Sequence, residues 1–168
     1  MSVTELKSAK SGASTFVHSE LFERTFREGM ELVELTANYL DGEGRERSKE
    51  LGRDSALAYA SISMRLTTQL MQIASWLLVL RAVREGEMAI TEAAESKYRL
   101  GECEEVKTDL RADGMPESLI GLVEETRQLY MRIARLDESL FKFGERKESQ
   151  TDAAGQQRAL FDAFGQAG

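Results

Sequence analysis

Apolar residues recur at helical spacing in the first half of the chain. One face is formed by a set at steps of three, four and seven: Phe22, Phe26, Val33, Ala37 and Leu40. This pattern predicts a helix that begins at His18 or Ser19. Ser19 is suited to the N-cap, because a serine hydroxyl can accept an otherwise unpaired backbone N–H. The helix should end at residues 41–44, where two glycines allow a left-handed turn.

The next helical segment, from about Asp54 to Arg84, is apolar on most of its circumference. Its strongest seam has the four-three spacing of a coiled coil and comprises Leu66, Leu70, Ile73, Leu77 and Leu80. A second face carries Thr67, Met71, Ala74, Leu78 and Ala82, and a third carries Gln69, Gln72, Trp76, Val79 and Val83. A three-helix monomer covers about two faces. We therefore predict that the third, half-polar face binds a second copy or another protein.

The rest of the chain predicts two further helices. A mostly polar one should run over 92–110, where apolar residues are sparse and the helix could break near Gly101. The other should begin at Pro116, a residue favoured in the first turn. Its unbroken three-four repeat comprises Leu119, Leu122, Thr126, Leu129, Ile133, Leu136 and Leu140. These segments together predict an all-α, antiparallel bundle of three to four helices spanning 18–143, assembled as a dimer.

Both ends of the chain differ in composition from this central region. Residues 1–17 are rich in Ser and Lys and predict a disordered leader, and residues 144–168 predict a disordered tail. Near the end of the tail, Leu160, Phe161 and Phe164 would share one face if the segment became helical on a partner. The tail is therefore a candidate docking segment, with a frayed end or weak self-docking as the alternative.

Composition narrows the class of protein. The 168 residues fit one domain, and the net charge of −7 arises from interspersed acidic and basic residues. Such a chain has no overall attraction for nucleic acid or an anionic membrane. The longest uncharged run, 66–80, is shorter than the roughly 20 residues that span a bilayer. A single cysteine, Cys103, excludes an internal disulfide and fits the cytosol.

Residues that carry catalytic chemistry are scarce. His18 is the only histidine, so the sequence predicts neither a His/Cys metal set nor a Ser–His–Asp triad. The Gly42-Glu43-Gly44 turn is too short and too acidic for a phosphate loop. We therefore predict a non-enzymatic protein with no cofactor, no metal and no catalytic residues, whose function is protein binding.

Several strings resemble one known bacterial family. They are 26–34 (FREGMELVE), 39–45 (YLDGEGR), 58–60 (AYA), 63–78 (SMRLTTQLMQIASWLL) and 80–88 (LRAVREGEM). The chain is similar over about residues 20–143 to the family typified by the regulator of CtrA degradation. The string at 63–78 is the most specific, because helical periodicity alone does not generate it. Ile62 and Gln69 depart from the family, which has an acidic and a basic residue there, so the identity of the partners stays open.

The resemblance implies a helical homodimer that acts as an adaptor for the ClpXP protease. In that family the adaptor joins a protease primed by a response-regulator-like factor and delivers cargo such as cell-cycle transcription factors. Two alternatives remain on the residues alone. One is a helical scaffold or signalling protein with other partners, and the other is a small-ligand-binding or enzymatic bundle, which an enclosed polar pocket would favour.

Overall fold

The computed structural model describes residues 12–103, 110–111 and 113–142. Its longer elements are α1 (Glu20–Asp41), α2 (Glu43–Lys49), α3 (Arg53–Arg84), α4 (Ile90–Ala93) and α5 (Glu117–Asp137). A 3-10 turn (Ser96–Tyr98) follows α4, and a π-helical turn (Glu138–Lys142) extends α5. These described segments contain no β-strand, so the predicted all-α class is confirmed.

The three long helices pack lengthwise around one core. α1 runs antiparallel to α3, since Glu23 near the start of α1 pairs with Arg84 at the end of α3. α1 is also antiparallel to α5, since Glu28 pairs with Arg132. The predicted seam of α3 is buried, as are Leu119, Leu129 and Ile133 of α5. The three-four repeats of α3 and α5 therefore mark the core faces of those two helices, because apolar side chains at those positions lie on one side of each helix. The face predicted for α1 is only partly right, since Phe22 is buried but Ala37 is exposed. The buried face of α1 is formed by Phe22, Thr25, Gly29, Leu32, Thr36 and Tyr39.

The start and end of α1 follow its sequence signals. The Ser19 Oγ accepts from the Phe22 N–H at 3.2 Å and donates to the Phe16 carbonyl at 2.6 Å, which confirms the predicted cap. α1 ends at Asp41 as expected, but only Gly42 separates it from α2. Gly44 is buried against Tyr39 and Tyr59. A Cβ on Gly44 would lie 2.6 Å from the ring of Tyr39 and 2.6 Å from the hydroxyl of Tyr59. The glycine there permits a close approach, and residues 43–44 begin a helix instead of a loop.

Two further predictions, about residues 12–17 and 92–110, are wrong in the described residues. Residues 12–17, assigned to the disordered leader, are helical, and Ala13 and Val17 are only 2% and 1% exposed. Their spacing of four places both on one face, against the core. The helix expected over 92–110 is replaced by α4, the 3-10 turn and a non-helical segment at 99–103. Residues 104–109 and the tail at 144–168 lie outside the described residues.

Candidate protein-binding surface

The third face of α3, predicted to be open for a partner, is covered by the chain itself. Trp76 is 2% exposed, and Gln69, Gln72, Val79 and Val83 are partly buried. The ring of Phe16, from the N-terminal helical segment, lies 6.5 Å from the Trp76 ring between centroids. The expectation that Trp76 is available at the surface is therefore wrong. Binding of a second copy through this face stays a prediction without a described contact.

Trp76 belongs to a buried polar cluster. Its indole Nε1 donates to the Asp137 Oδ1 at 2.9 Å, and Arg99 contacts both carboxylate oxygens of Asp137 at 2.9 Å. The Arg99 and Asp137 side chains are only 11% and 8% exposed. Arg99 also lies over the Phe141 ring, 5.0 Å from its centroid. A bidentate Arg–carboxylate pair has a fixed geometry. This cluster therefore holds the 99–103 segment against α3 and α5.

A second set of contacts holds the same segment through its backbone. The Gly101 N–H donates to the Gln72 Oε1 at 3.2 Å, and the Gly101 carbonyl accepts from the Tyr130 hydroxyl at 2.6 Å. A Cβ at Gly101 would lie 2.6 Å from the Gln72 side chain. These contacts explain the failed helix prediction: a helix here would direct the Gly101 N–H and carbonyl along its own axis, away from Gln72 and Tyr130. They also explain why the Gln–Trp face of α3 is half-polar.

An exposed apolar surface lies on a different side of α3. Leu57, Met64, Met71 and Leu78 recur at every seventh residue and are 64%, 73%, 65% and 52% exposed. We call these four residues the α3 stripe. The sequence placed Met71 and Leu78 on the second face, but that face was expected to be covered by the monomer. The heptad spacing was the signal that could have identified the surface, because it continues over three intervals on one side of the helix.

The residues three and four positions after Leu57, Met64 and Met71, which lie on the same side of α3, are small. They are Ala60 and Ser61, Thr67 and Thr68, and Ala74 and Ser75. The Thr67 hydroxyl donates to the Ser63 carbonyl at 2.8 Å, and the Thr68 hydroxyl donates to the Met64 carbonyl at 3.0 Å. The O–H donor of each hydroxyl is therefore already paired within the helix, so covering these side chains leaves no unpaired O–H donor. Small side chains also let a second helix approach closely.

Ion pairs between neighbouring side chains dominate the electrostatics of the outer surface. Hydrogen bonds from Arg127 and then Gln128 lower the pKa of Glu124 to about 2. A hydrogen bond from Arg84 likewise holds the pKa of Glu23 below its ordinary value. Burial raises the pKa of the Cys103 thiol, which keeps it in the less reactive protonated form. This surface chemistry is suited to solvation and protein contact.

Metal binding and membrane insertion need features of their own. Among the described residues, no group of three or more His, Cys, Asp or Glu is placed to hold a metal ion. One described helix, α3, is long and apolar enough to cross a bilayer by length and composition alone. The same helix supplies Ile73, Leu77 and Leu80 to the core. A core helix also passes that test, so it is weak evidence for a membrane span.

The chain has relatives among known proteins. The family described as "Protein of unknown function (DUF1465)" matches residues 13–164. The crystal structure of RcdA from Caulobacter crescentus CB15 is similar, with 50% sequence identity and a TM-score of 0.64. That similarity covers 76% of this chain and 97% of the RcdA chain. No curated protein matches the chain.

The family match and the RcdA similarity each cover more than two thirds of this chain. The RcdA alignment runs over nearly the whole of that chain, and the family match covers most of this one. The predicted family resemblance is confirmed: this chain belongs to the DUF1465 family of RcdA-like proteins.

Proposed function

We propose that this chain is a non-enzymatic, homodimeric adaptor that brings cargo proteins to the ClpXP protease in the cytosol. A response-regulator-like factor would prime the protease, and the cargo would include cell-cycle transcription factors. The observation that carries the proposal is the 50% identity to RcdA over 97% of that chain. The resemblance of 63–78 to the regulator of CtrA degradation family is part of the same support.

Tethering accounts for how such a protein acts without a catalytic group. An adaptor that holds cargo and protease together converts their encounter into an intramolecular event, which raises the effective cargo concentration at the protease. That role needs separate binding surfaces on a stable support. The buried seams of α1, α3 and α5 supply the support, and exposed apolar surfaces such as the α3 stripe are available for contact.

The α3 stripe is our proposed dimer interface. Its four residues are centred between Thr67 and Thr68, so a twofold axis there would pair two α3 helices antiparallel. Met64 would then lie opposite Met71 of the second copy, and Leu57 opposite Leu78. A twofold interface buries the same patch on both copies, which a stripe symmetric about its own midpoint satisfies. This surface replaces the Gln69–Trp76–Val83 face as the preferred interface.

A reconstituted degradation assay tests the adaptor function. Purified ClpXP, priming factor and a candidate cargo would be combined with and without this protein, and loss of cargo followed over time. We expect faster degradation of cargo with the protein present, and no effect on a ClpXP substrate that needs no adaptor. An equal rate with and without the protein, under conditions where it binds neither ClpX nor cargo, would favour a scaffold with other partners.

The predicted tail-docking residues Leu160, Phe161 and Phe164 lie outside the described residues and are proposed as partner contacts. Deletion of 144–168 should leave the helix content and the melting temperature unchanged, because the core is formed by α1, α3 and α5. We expect weaker delivery in the degradation assay. Undiminished delivery by the truncated protein would assign the interaction to the helical surface.

A further inference from the structure

A groove of about 610 Å³ runs along the outer side of the pair formed by α1 and α5. Its floor includes Leu32, which is 5% exposed, while Leu35 on α1 and Met131 on α5 line it and are 57% and 42% exposed. A second groove lies between α1 and the end of α3, but there Arg81 covers the Phe26 ring. The α1–α5 groove therefore has the more accessible apolar side chains.

The two walls of this groove carry opposite charge. α1 contributes Glu28 and Glu31, and α5 contributes Arg127, Arg132 and Arg135, with Glu125 as an acidic exception. Arg132 contacts Glu28 at 2.5 Å, and Arg127 contacts Glu124 at 2.9 Å. The side chains of Glu31 and Arg135 make no hydrogen bond or ion pair with any described residue. Each wall thus retains a charge that can pair with a ligand.

The spacing of the two apolar side chains fits a helix. The Glu28–Arg132 contact sets the antiparallel register of α1 and α5 and places Leu35 near the level of Glu125. Met131 is six residues further along α5, or roughly 9 Å at 1.5 Å per residue. Side chains at i and i+7 of a docked helix are separated by about 10.5 Å, and a residue at i+3 or i+4 would lie between them.

We propose that the α1–α5 groove binds an amphipathic helix of a partner protein. The helix would place an apolar ridge on Leu35 and Met131, a basic edge beside Glu31, and an acidic edge beside Arg135. Helix-in-groove recognition uses apolar anchors in this way, and charges along the rim select the partner. The surface is distinct from the α3 stripe and does not depend on the proposed protease.

Three synthetic helical peptides with one shared apolar ridge test this proposal by fluorescence anisotropy on the full chain. The first has Lys along one edge and Glu along the other, the second has Lys along both, and the third has Glu along both. A helix can enter a groove in either direction, so a mere exchange of edges is uninformative. We expect the Lys/Glu peptide to bind at least about 10-fold more tightly than either control and to weaken with salt.

Matched variants locate the binding site. Leu35→Ser combined with Met131→Ser should weaken binding of the Lys/Glu peptide by about 10-fold, since both apolar anchors are lost. Met64→Ser combined with Met71→Ser removes two apolar side chains that are even more exposed, at 73% and 65%, from the α3 stripe and should change binding less than about 2-fold. Arg135→Glu should shift the preference toward the peptide with Lys on both edges.

Two results would overturn the proposal. Tightest binding of the all-Lys peptide to the unaltered chain would indicate general attraction to a protein of net charge −7 instead of recognition by two walls. Equal loss of binding in the Met64/Met71 variant would place the peptide on the α3 stripe.

Discussion

The indole of Trp76 in α3 donates a hydrogen bond to the Asp137 carboxylate at the end of α5, across 61 residues of sequence. Asp137 simultaneously accepts from Arg99, so one buried carboxylate connects three parts of the chain. Asp137 is the last residue of α5 and directly precedes the π-helical turn, the last described element before the tail. The stability of this end of the molecule should therefore depend on one acidic side chain.

We expect Asp137→Ala to lower the free energy of unfolding by about 3–5 kcal/mol, because it leaves the buried Arg99 without its counter-charge. Urea unfolding followed by fluorescence would measure this loss. Trp76 is the only tryptophan, so its emission reports directly on this site. The emission should shift to longer wavelength as the chain unfolds. Glu124→Ala, which breaks an exposed pair, is the control and should shift the midpoint far less than Asp137→Ala. Equal midpoints for both variants would mean that the cluster contributes nothing net.

Two helical glycines provide a matched pair for testing core packing. A Cβ on Gly29 would lie 2.5 Å from the Leu77 side chain, in the core between α1 and α3. We expect Gly29→Ala to destabilise the fold, because overpacking costs about 1–3 kcal/mol and over most of that range outweighs the helix-propensity gain of about 1 kcal/mol. Gly121 in α5 is exposed, with nothing within 4 Å of an added Cβ, so Gly121→Ala should stabilise it. Stabilisation by both substitutions would show that Leu77 moves aside easily.

The proposed dimer depends on the α3 stripe. Met64→Lys with Met71→Lys should produce a monomer with unchanged helix content, because both side chains are exposed in the single chain but would face each other in the dimer. Sedimentation velocity over a range of concentrations would measure the oligomeric state. Leu21→Lys, at an exposed apolar position of α1, is the control and should remain dimeric. A dimer that persists in the double variant would place the interface elsewhere.

The pKa of Glu124 gives a prediction for pH dependence. Its carboxyl should titrate near pH 2 in the folded chain, well below the ordinary value of 4.5. Because the folded-state pKa is lowered, the contribution of this group to stability is present above about pH 4.5 and is lost as the pH falls through about 2. An NMR titration of the Glu side chains would measure it. Arg127→Ala should raise the pKa, and an unchanged value would exclude the hydrogen bond from Arg127 as its main cause.

Much of the fold was predictable because local signals and buried faces agree. The Ser19 cap, the end of α1 at Asp41 and the position of Pro116 before α5 each follow from the chemistry of one or two residues. The predicted seam of α3 is buried for the same reason: a regular apolar row on a helix can leave water only by facing other helices. The family resemblance was also readable, since the string at 63–78 is specific in itself.

The wrong predictions depend on which other segment of the chain packs against a given helix face. The sequence of one helix does not contain that information. A half-polar face containing Trp76 is compatible with a protein interface, and also with burial under another segment of the same chain. The outcome depended on Arg99, Gly101 and Asp137, which are distant in sequence from α3 and carry no periodic signal. The same reasoning applies to residues 12–17, where Ala13 and Val17 pack against a core formed largely by later residues.

By itself the sequence determined the class of fold, the position of the long helices, the scarcity of catalytic groups and the family. Those properties follow from spacing along one segment or from residue composition. Only the tertiary structure decided which side of α3 stays exposed. The chain has too few other segments to cover every side of this helix, and the sequence of α3 does not show where those segments pack. The 99–103 segment covers the Gln72–Trp76 side through specific polar contacts, and Leu57, Met64, Met71 and Leu78 consequently remain at the surface.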